Sequence, residues 1–294
     1  MRRRDCLLSA LMPVPVPARR GAIRLHAGNY GLQSLPVERA LDEIRRIGYD
    51  GAELCLLPGW KSEPAQLDAA ARRRIRVMGF PVPTMMDGFN ALAAEPDQAR
   101  TLDRIRAAAA LAHDIAPEQP PILQTVLGGK PGDWEQMKEQ MARRLAEWAA
   151  VARENRIRLA VKSHIGSACN TPEKLIWLLD RVRDPALSAN YDYSHFQLLD
   201  LGLQPTLAAL LPRSSFLTVK DGHMVTGNPR FLLPGDGTID YRQYFSILRQ
   251  KSYRGWMLGE ISRQLQIQPG YDGIAAARRS YGNLAPLLRD ANLR

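Results

Sequence analysis

The amino-acid sequence predicts a single α/β unit, a (β/α)8 TIM barrel. Three observations carry this expectation. The length of 294 residues suffices for a fold that typically needs about 250. Short β-type runs alternate with amphipathic helices eight times from Gly21 onward. Polar side chains stand where most of those runs end. Strict strand/helix alternation implies a parallel sheet with right-handed crossovers, and eight such units close into a barrel. A doubly wound open sheet is the competing architecture, but no G-x-G-x-x-G follows any run, which removes support for its nucleotide-binding versions.

The first strand is expected at Ala22–His26. Its helix is capped by Ser34, carries Val37, Leu41 and Ile44 on one face, and stops at Gly48. The second strand covers Gly51–Leu56, with a helix over 64–79. The third lies near Pro81–Met86, with a helix near 97–113. The fourth, Pro121–Val126, leads to Asp133, which caps a helix whose Trp134, Met137, Met141, Leu145 and Trp148 fall at core spacing. Strand Arg158–Lys162 precedes a helix opened by Thr171-Pro172-Glu173. Strand Leu187–Asp192 precedes a helix near 204–211. Strand Phe216–Lys220 is followed by a long loop over 222–239, with Phe231 and Leu232 exposed unless something covers them, and a helix from Asp240. The loop reads as a lid or a subunit contact, which leaves a homo-oligomer open. Strand Trp256–Glu260 and a helix from Asp272 to Leu288 complete the barrel, which spans 21–294.

Residues 1–20 form a separate leader with a basic start and a patch broken by Pro13, Pro15 and Pro17. It resembles a twin-arginine export signal. The alternatives are a disordered leader or a true start at Met12. The three cysteines, Cys6, Cys55 and Cys169, form no C-x-x-C pair, so a reducing, cytoplasmic setting is expected, with export the alternative. No stretch reaches the ~18 apolar residues of a membrane span. The net charge is +10, but Arg2, Arg3, Arg4, Arg19 and Arg20 crowd into the leader and the remaining arginines scatter along helices with acidic neighbours, so neither nucleic acid nor membrane is an expected partner.

Barrel chemistry gathers at C-terminal strand ends. Those ends offer His26, Glu53, Asp87, Lys162 with His164, Asp192, Lys220 with Asp221, and Glu260. Period-two alternation turns Lys162, Asp192 with Asn190, Thr218 with Lys220, and Glu260 inward. Lys220 and Asp221 read equally well as a structural ion pair. His113 and His223 carry no comparable motif.

Gly48–Leu54, Tyr191–His195, Val219–Asp221, Pro234–Gly237 with Ile239-Asp240, and Gly255–Glu260 together resemble signature segments of the xylose isomerase-like barrel superfamily, which acts in carbohydrate metabolism. The similarity covers nearly everything after residue 21. It implies an isomerase or epimerase acting on a sugar, sugar phosphate or keto-polyol, by proton transfer beside a carbonyl. In its metal-dependent members Glu, Asp, His and Glu from strands five to eight hold a divalent cation. Here Asp192 and Glu260 match, while Lys162 and Thr218 occupy the other two positions. Two carboxylates and a threonine make a poor site for Mn, Mg, Co or Zn, and an ammonium among them repels a dication. No other cofactor is expected.

Lys162 is therefore expected to stand in for the metal, polarising a substrate carbonyl, with Glu260 as general base and His195 or His164 as proton donor. By the same resemblance His195 and Arg230 contact substrate, alongside His164, Asp192, Lys220, His26 and Glu53 as binding candidates. Other readings stay open. Lys162 as a buried ion-pair partner would make the chain a non-catalytic sugar-binding barrel. A lyase or dehydratase of the same superfamily is a further alternative. A Schiff-base lysine is opposed by the flanking carboxylates, which hold it protonated, and an endonuclease IV-like three-zinc site is opposed by a total of five histidines.

Overall fold

Apolar runs too short for helices form the strands of a closed parallel barrel, seen here in a computed structural model that describes residues 22–294. The leader expected over 1–20 lies outside the described residues. In chain order the strands are β1 (Ile23–Gly28), β2 (Gly51–Cys55), β3 (Thr84–Met86), β4 (Ile122–Thr125), β5 (Leu159–Lys162), β6 (Leu187–Asp192) and β7 (Ser214–Val219), then a hairpin of β8 (Asp221–Val225) and β9 (Asn228–Leu232), and β10 (Gly255–Gly259). Hydrogen bonding closes the barrel in the order β1-β10-β7-β6-β5-β4-β3-β2, with the hairpin as a separate two-stranded sheet.

The crossover helices are α1 (Val37–Ile47), α2 (Ala69–Val77), α3 (Glu95–Ile115), α4 (Trp134–Glu154), α5 (Pro172–Val182), α6 (Tyr193–Gln197), α7 (Leu203–Leu210), α8 (Tyr241–Gln250), α9 (Arg263–Gln266) and α10 (Gly273–Asp290). The apolar stripes of the longer helices pack on the barrel's outer face: Leu41 and Ile44 of α1, and Trp134, Met141, Leu145 and Trp148 of α4, are buried, while Met137 is half-buried. Gly48 ends α1 in the left-handed region at φ 113°, where a side chain is disfavoured. Asp272 caps α10 by accepting from the Ile274 and Ala275 amides, and Asp240 caps α8 through Gln243.

Several local expectations are corrected. Ser34 does not cap α1, because Pro36 fixes the entry and its carbonyl accepts from the Ala40 amide at 2.9 Å. The Asp133 side chain turns back to the Lys130 amide rather than capping α4. The unexpected short helix α6 follows β6 directly, started by Asp192, whose carboxylate accepts from the Ser194 amide at 3.2 Å. The stretch after β7 is no irregular loop over its first half: β8 and β9 pair antiparallel from Asp221↔Leu232 to Val225↔Asn228. Phe231 is buried against Ile165 and Leu198, and Leu232 is half-buried.

Alternation along the strands stacks the barrel interior in layers. A separate apolar cluster of Ile122, Ala160, Phe216 and Leu258, backed by Trp256, fills the inside. His26 packs edge-on to Trp256 at 5.4 Å. Beside it runs a chain of hydrogen bonds across strands: His26 Nε2 to Thr84 Oγ1 (3.0 Å), Thr84 to Glu53 (2.9 Å), Gln124 to Glu53, Asn190 to Gln124 (2.6 Å) and Thr218 to Asn190 (2.9 Å). Each of these side chains thereby finds at least one partner, although His26 Nδ1 has none. Above that layer the interior becomes charged.

Candidate active site

Four side chains from consecutive barrel neighbours meet where their strands end: Lys162 of β5, Asp192 of β6, Lys220 just after β7 and Glu260 just after β10. Each ammonium reaches both carboxylates. Lys162 Nζ donates to Glu260 Oε2 and lies 3.5 Å from Asp192 Oδ2. Lys220 Nζ donates to Asp192 Oδ2 and lies 3.1 Å from Glu260 Oε1. The ring carries two positive and two negative charges, so it is neutral as a whole. Exposure is slight, at 7% for the Lys162 side chain and 12% for that of Glu260, and Asp192 and Lys220 are sealed. Charges this dry persist only because each is paired twice.

The pairing fixes protonation. Burial opposes charge on Lys162, but Glu260 and Asp192 outweigh it and raise its pKa above the ordinary 10.5. Burial likewise opposes ionisation of Glu260, and Lys162 and Lys220 reverse that, holding the carboxyl down at about 2. Asp192 is lowered in the same way, against burial, by Lys220 and Lys162, with help from Ser194 Oγ at 2.7 Å. A protonated lysine is no amine nucleophile, so the geometry does not suit Schiff-base chemistry.

The histidines sit beside this ring. α6 returns His195 against it, with Nε2 3.2 Å from Lys220 Nζ and 3.5 Å from Asp192 Oδ2. Its ring is fully buried and lies 4.3 Å, centroid to centroid, from half-buried His164. Burial, reinforced by Lys220, lowers both pKa values, that of His164 to about 4. Both imidazoles are therefore neutral near pH 7. Phe231 of β9 covers them, edge-on to His195 at 5.2 Å and 5.1 Å from the Lys220 ammonium.

Other candidates are placed elsewhere. Lys220 forms no pair with Asp221, because alternation points them opposite ways. Asp221 instead accepts from the Gly235 and Ile239 amides, and Gly237 passes so near that a Cβ there would meet the carboxylate at 2.5 Å. Asp87 turns outward to Arg104 of α3 at 2.9 Å. Arg230 is exposed on β9, opposite His223 and on the face away from Phe231. His26 is sealed in the interior, its pKa lowered to about 3 by burial, and does not reach the mouth. His113 of α3 holds the Asn155 carbonyl, far from the ring.

Glu53 lies below the ring without a cation. Thr84 Oγ1 and Gln124 Nε2 both donate to its Oε2. Burial, with the field of Glu260 added, raises its pKa to about 7. Sequence reasoning named Phe231 only as part of a lid and missed Thr84 and Gln124, and also Tyr30, near enough to Glu260 and Lys162 to feel both charges, which stacks on Trp60 at 5.5 Å. The parity of inward positions was the available signal for Thr84 and Gln124.

The donor set does not fit a divalent metal. Among the described residues no group of three or more His, Cys, Asp or Glu side chains is gathered as a metal would need, and ammonium groups already saturate the two carboxylates.

These features coincide with the family match. Residues 41–283 match the family model of the xylose isomerase-like TIM barrel, and the chain belongs to that family. It is 26% identical over 159 residues to the inosose dehydratase of Yersinia enterocolitica, covering 48% of this chain and 53% of that relative, so it spans about half of that protein's length. A longer alignment, 23% identical over 263 residues, reaches the inosose dehydratase of Bacillus licheniformis, with 83% and 86% covered. The solved structure of the probable 3-DHS dehydratase from Bacillus anthracis superposes with a TM-score of 0.72 at 14% identity, over 89% of this chain and 98% of that one. That last likeness is one of fold. No described helix is long and apolar enough to cross a membrane.

Proposed function

We propose that this barrel moves a proton beside the carbonyl of a keto-sugar or keto-polyol without a metal, as an isomerase or epimerase. The observation that carries the reading is the closed ring of Lys162, Asp192, Lys220 and Glu260 at the strand ends. Lys162, held protonated, takes the metal's role by donating to the substrate carbonyl oxygen and stabilising the enolate that forms. Glu260 accepts the carbon-bound proton. Its low pKa rests on Lys162 and Lys220, and a substrate oxygen that draws Lys162 away frees the carboxylate to act. Asp192 keeps Lys220 in place, and the neutral histidines donate or accept hydrogen bonds at the same wall.

Loss of water after the same proton abstraction is the second reading. It is favoured by the inosose dehydratases among the sequence relatives. Incubation of the metal-stripped protein with an inosose and a set of ketohexoses and ketopentoses in D2O, followed by proton NMR, tests both. Deuterium appearing beside the carbonyl supports the shared first step, and a new vinylic signal identifies elimination. Activity that appears only after a divalent cation is restored would sink the lysine-for-metal reading.

A further inference from the structure

An enzyme that shuttles a proton between substrate atoms needs a group that gives as well as one that takes. Lys162 is held protonated by Glu260 and Asp192, and burial holds His164 and His195 neutral, so a group that exchanges a proton near neutrality must come from elsewhere. Among the described residues Glu53 is a barrel-interior carboxyl with no cation within ion-pairing distance, in contrast to Asp192 and Glu260. Its Oε2 is fixed by Thr84 Oγ1 and Gln124 Nε2, while Oε1 accepts no hydrogen bond. Oε1 faces Gly28, the last residue of β1 and its partner in register. Gly28 has an ordinary extended backbone (φ −86°, ψ 142°), so no turn demands glycine there. What the glycine leaves is space: a Cβ would sit 3.4 Å from Oε1, at an inward position nearer the mouth than His26.

Resting on the proton-transfer reading above, we infer that Glu53 is the acid partner of Glu260, delivering its proton to the substrate oxygen through the gap at Gly28. The charged groups that act on Glu53 are Glu260 and Lys162. The Cys55 thiol on its own strand, held neutral by burial, and neutral His26, linked through Thr84, complete its surroundings. Environments that push two carboxyls apart, one to about 2 and one to about 7, assign the base and the acid. The step balances. Glu260 takes the proton from carbon, the C–H electrons form the carbon–carbon double bond, and the carbonyl π pair takes the proton of Glu53 to give an enediol. Return of the proton from the neighbouring hydroxyl to Glu53, and of the first from Glu260 to carbon, yields the isomer and restores both groups.

The experiment measures kcat and KM against pH, with whichever inosose or ketose the NMR panel shows to exchange. Glu53→Gln is expected to lower kcat by about 100-fold or more with little change in KM, and to abolish the loss of rate as pH rises through about 7. Glu53→Asp should restore part of kcat. Gly28→Val, which keeps the carboxyl but fills the space before Oε1, should lower kcat in a folded protein, and guards against a Glu53→Gln variant that fails to fold. Wild-type kcat in Glu53→Gln, or a reduced kcat that keeps the same alkaline limb, overturns the assignment while leaving the proton-transfer reading intact. Absence of exchange by the wild type on every probe overturns that reading, and this inference with it.

Discussion

The two halves of the barrel are polar in different ways. Strands β5, β6, β7 and β10 lead to four full charges that neutralise one another in a ring. Strands β1 to β4 carry His26, Glu53, Thr84 and Gln124, joined by hydrogen bonds without an ion pair. The difference shows that burial alone does not set protonation. Carboxyls inside the same barrel end up ionised beside ammonium groups, and without them keep a proton up to about pH 7. One half is locked and the other can titrate.

The largest expected effect comes from breaking the locked half. Lys220→Met leaves Asp192 and Glu260 sharing a single lysine in a sealed site, and removal of one partner from a buried pair typically costs about 3–5 kcal/mol. Chemical denaturation should show a loss of that order. The charge-balanced double variant Lys220→Met/Asp192→Asn should recover most of it. If single and double variants are equally unstable, the ring is held by packing rather than by charge.

Stability against pH separates the halves by sign. Glu260 has its pKa lowered from 4.5 to about 2, so its contribution is present above pH 4.5 and is lost as pH falls toward 2. Glu53 is raised from 4.5 to about 7. The folded state then holds a proton the unfolded chain has released, and stability falls as pH rises from 4.5 through 7. Each effect is on the order of 3 kcal/mol. Glu53→Gln should therefore match the wild type near pH 5 and exceed it near pH 8, while the deficit of Glu260→Gln should close as pH drops below 4.5. Parallel curves for Glu53→Gln and wild type from pH 5 to 8 would remove the contrast between the halves.

The sequence made the barrel legible because strand and helix periodicity is local, and Lys162, Asp192 and Glu260 were legible because alternation carries a side chain's direction along a strand. Lys220 was harder to place. Its inward direction was readable, but its partners lie on β6 and beyond β10, and sequence adjacency suggested Asp221 instead. The hairpin was hidden because Asp221–Val225 and Asn228–Leu232 are polar, Gly- and Pro-containing segments whose pairing depends on each other and on α9. The raised pKa of Glu53 is a property of its depth and of Glu260's field, neither of which a single strand's sequence contains. His26 shows the converse error, since a strand predicted to end at residue 26 runs on to Gly28 and leaves the histidine below the mouth.

The smallest expected effect tests what keeps the locked half dry. Gln264 of α9 accepts from the Phe231 amide and donates to the Pro229 carbonyl, both at 3.0 Å, pinning β9 over the ring. Gln264→Ala removes both bonds from a partly buried site, at a cost of about 1 kcal/mol. The more telling readout is His164, whose pKa near 4 derives first from burial at the hairpin's side of the mouth. Loosening β9 should admit water and raise that pKa toward 6.5, visible in an NMR titration of the imidazole protons, while Glu53 across the barrel keeps its own. An unchanged His164 titration in Gln264→Ala would mean that Phe231 stays seated without the α9 clamp and that the ring, not the hairpin, holds the two imidazoles neutral.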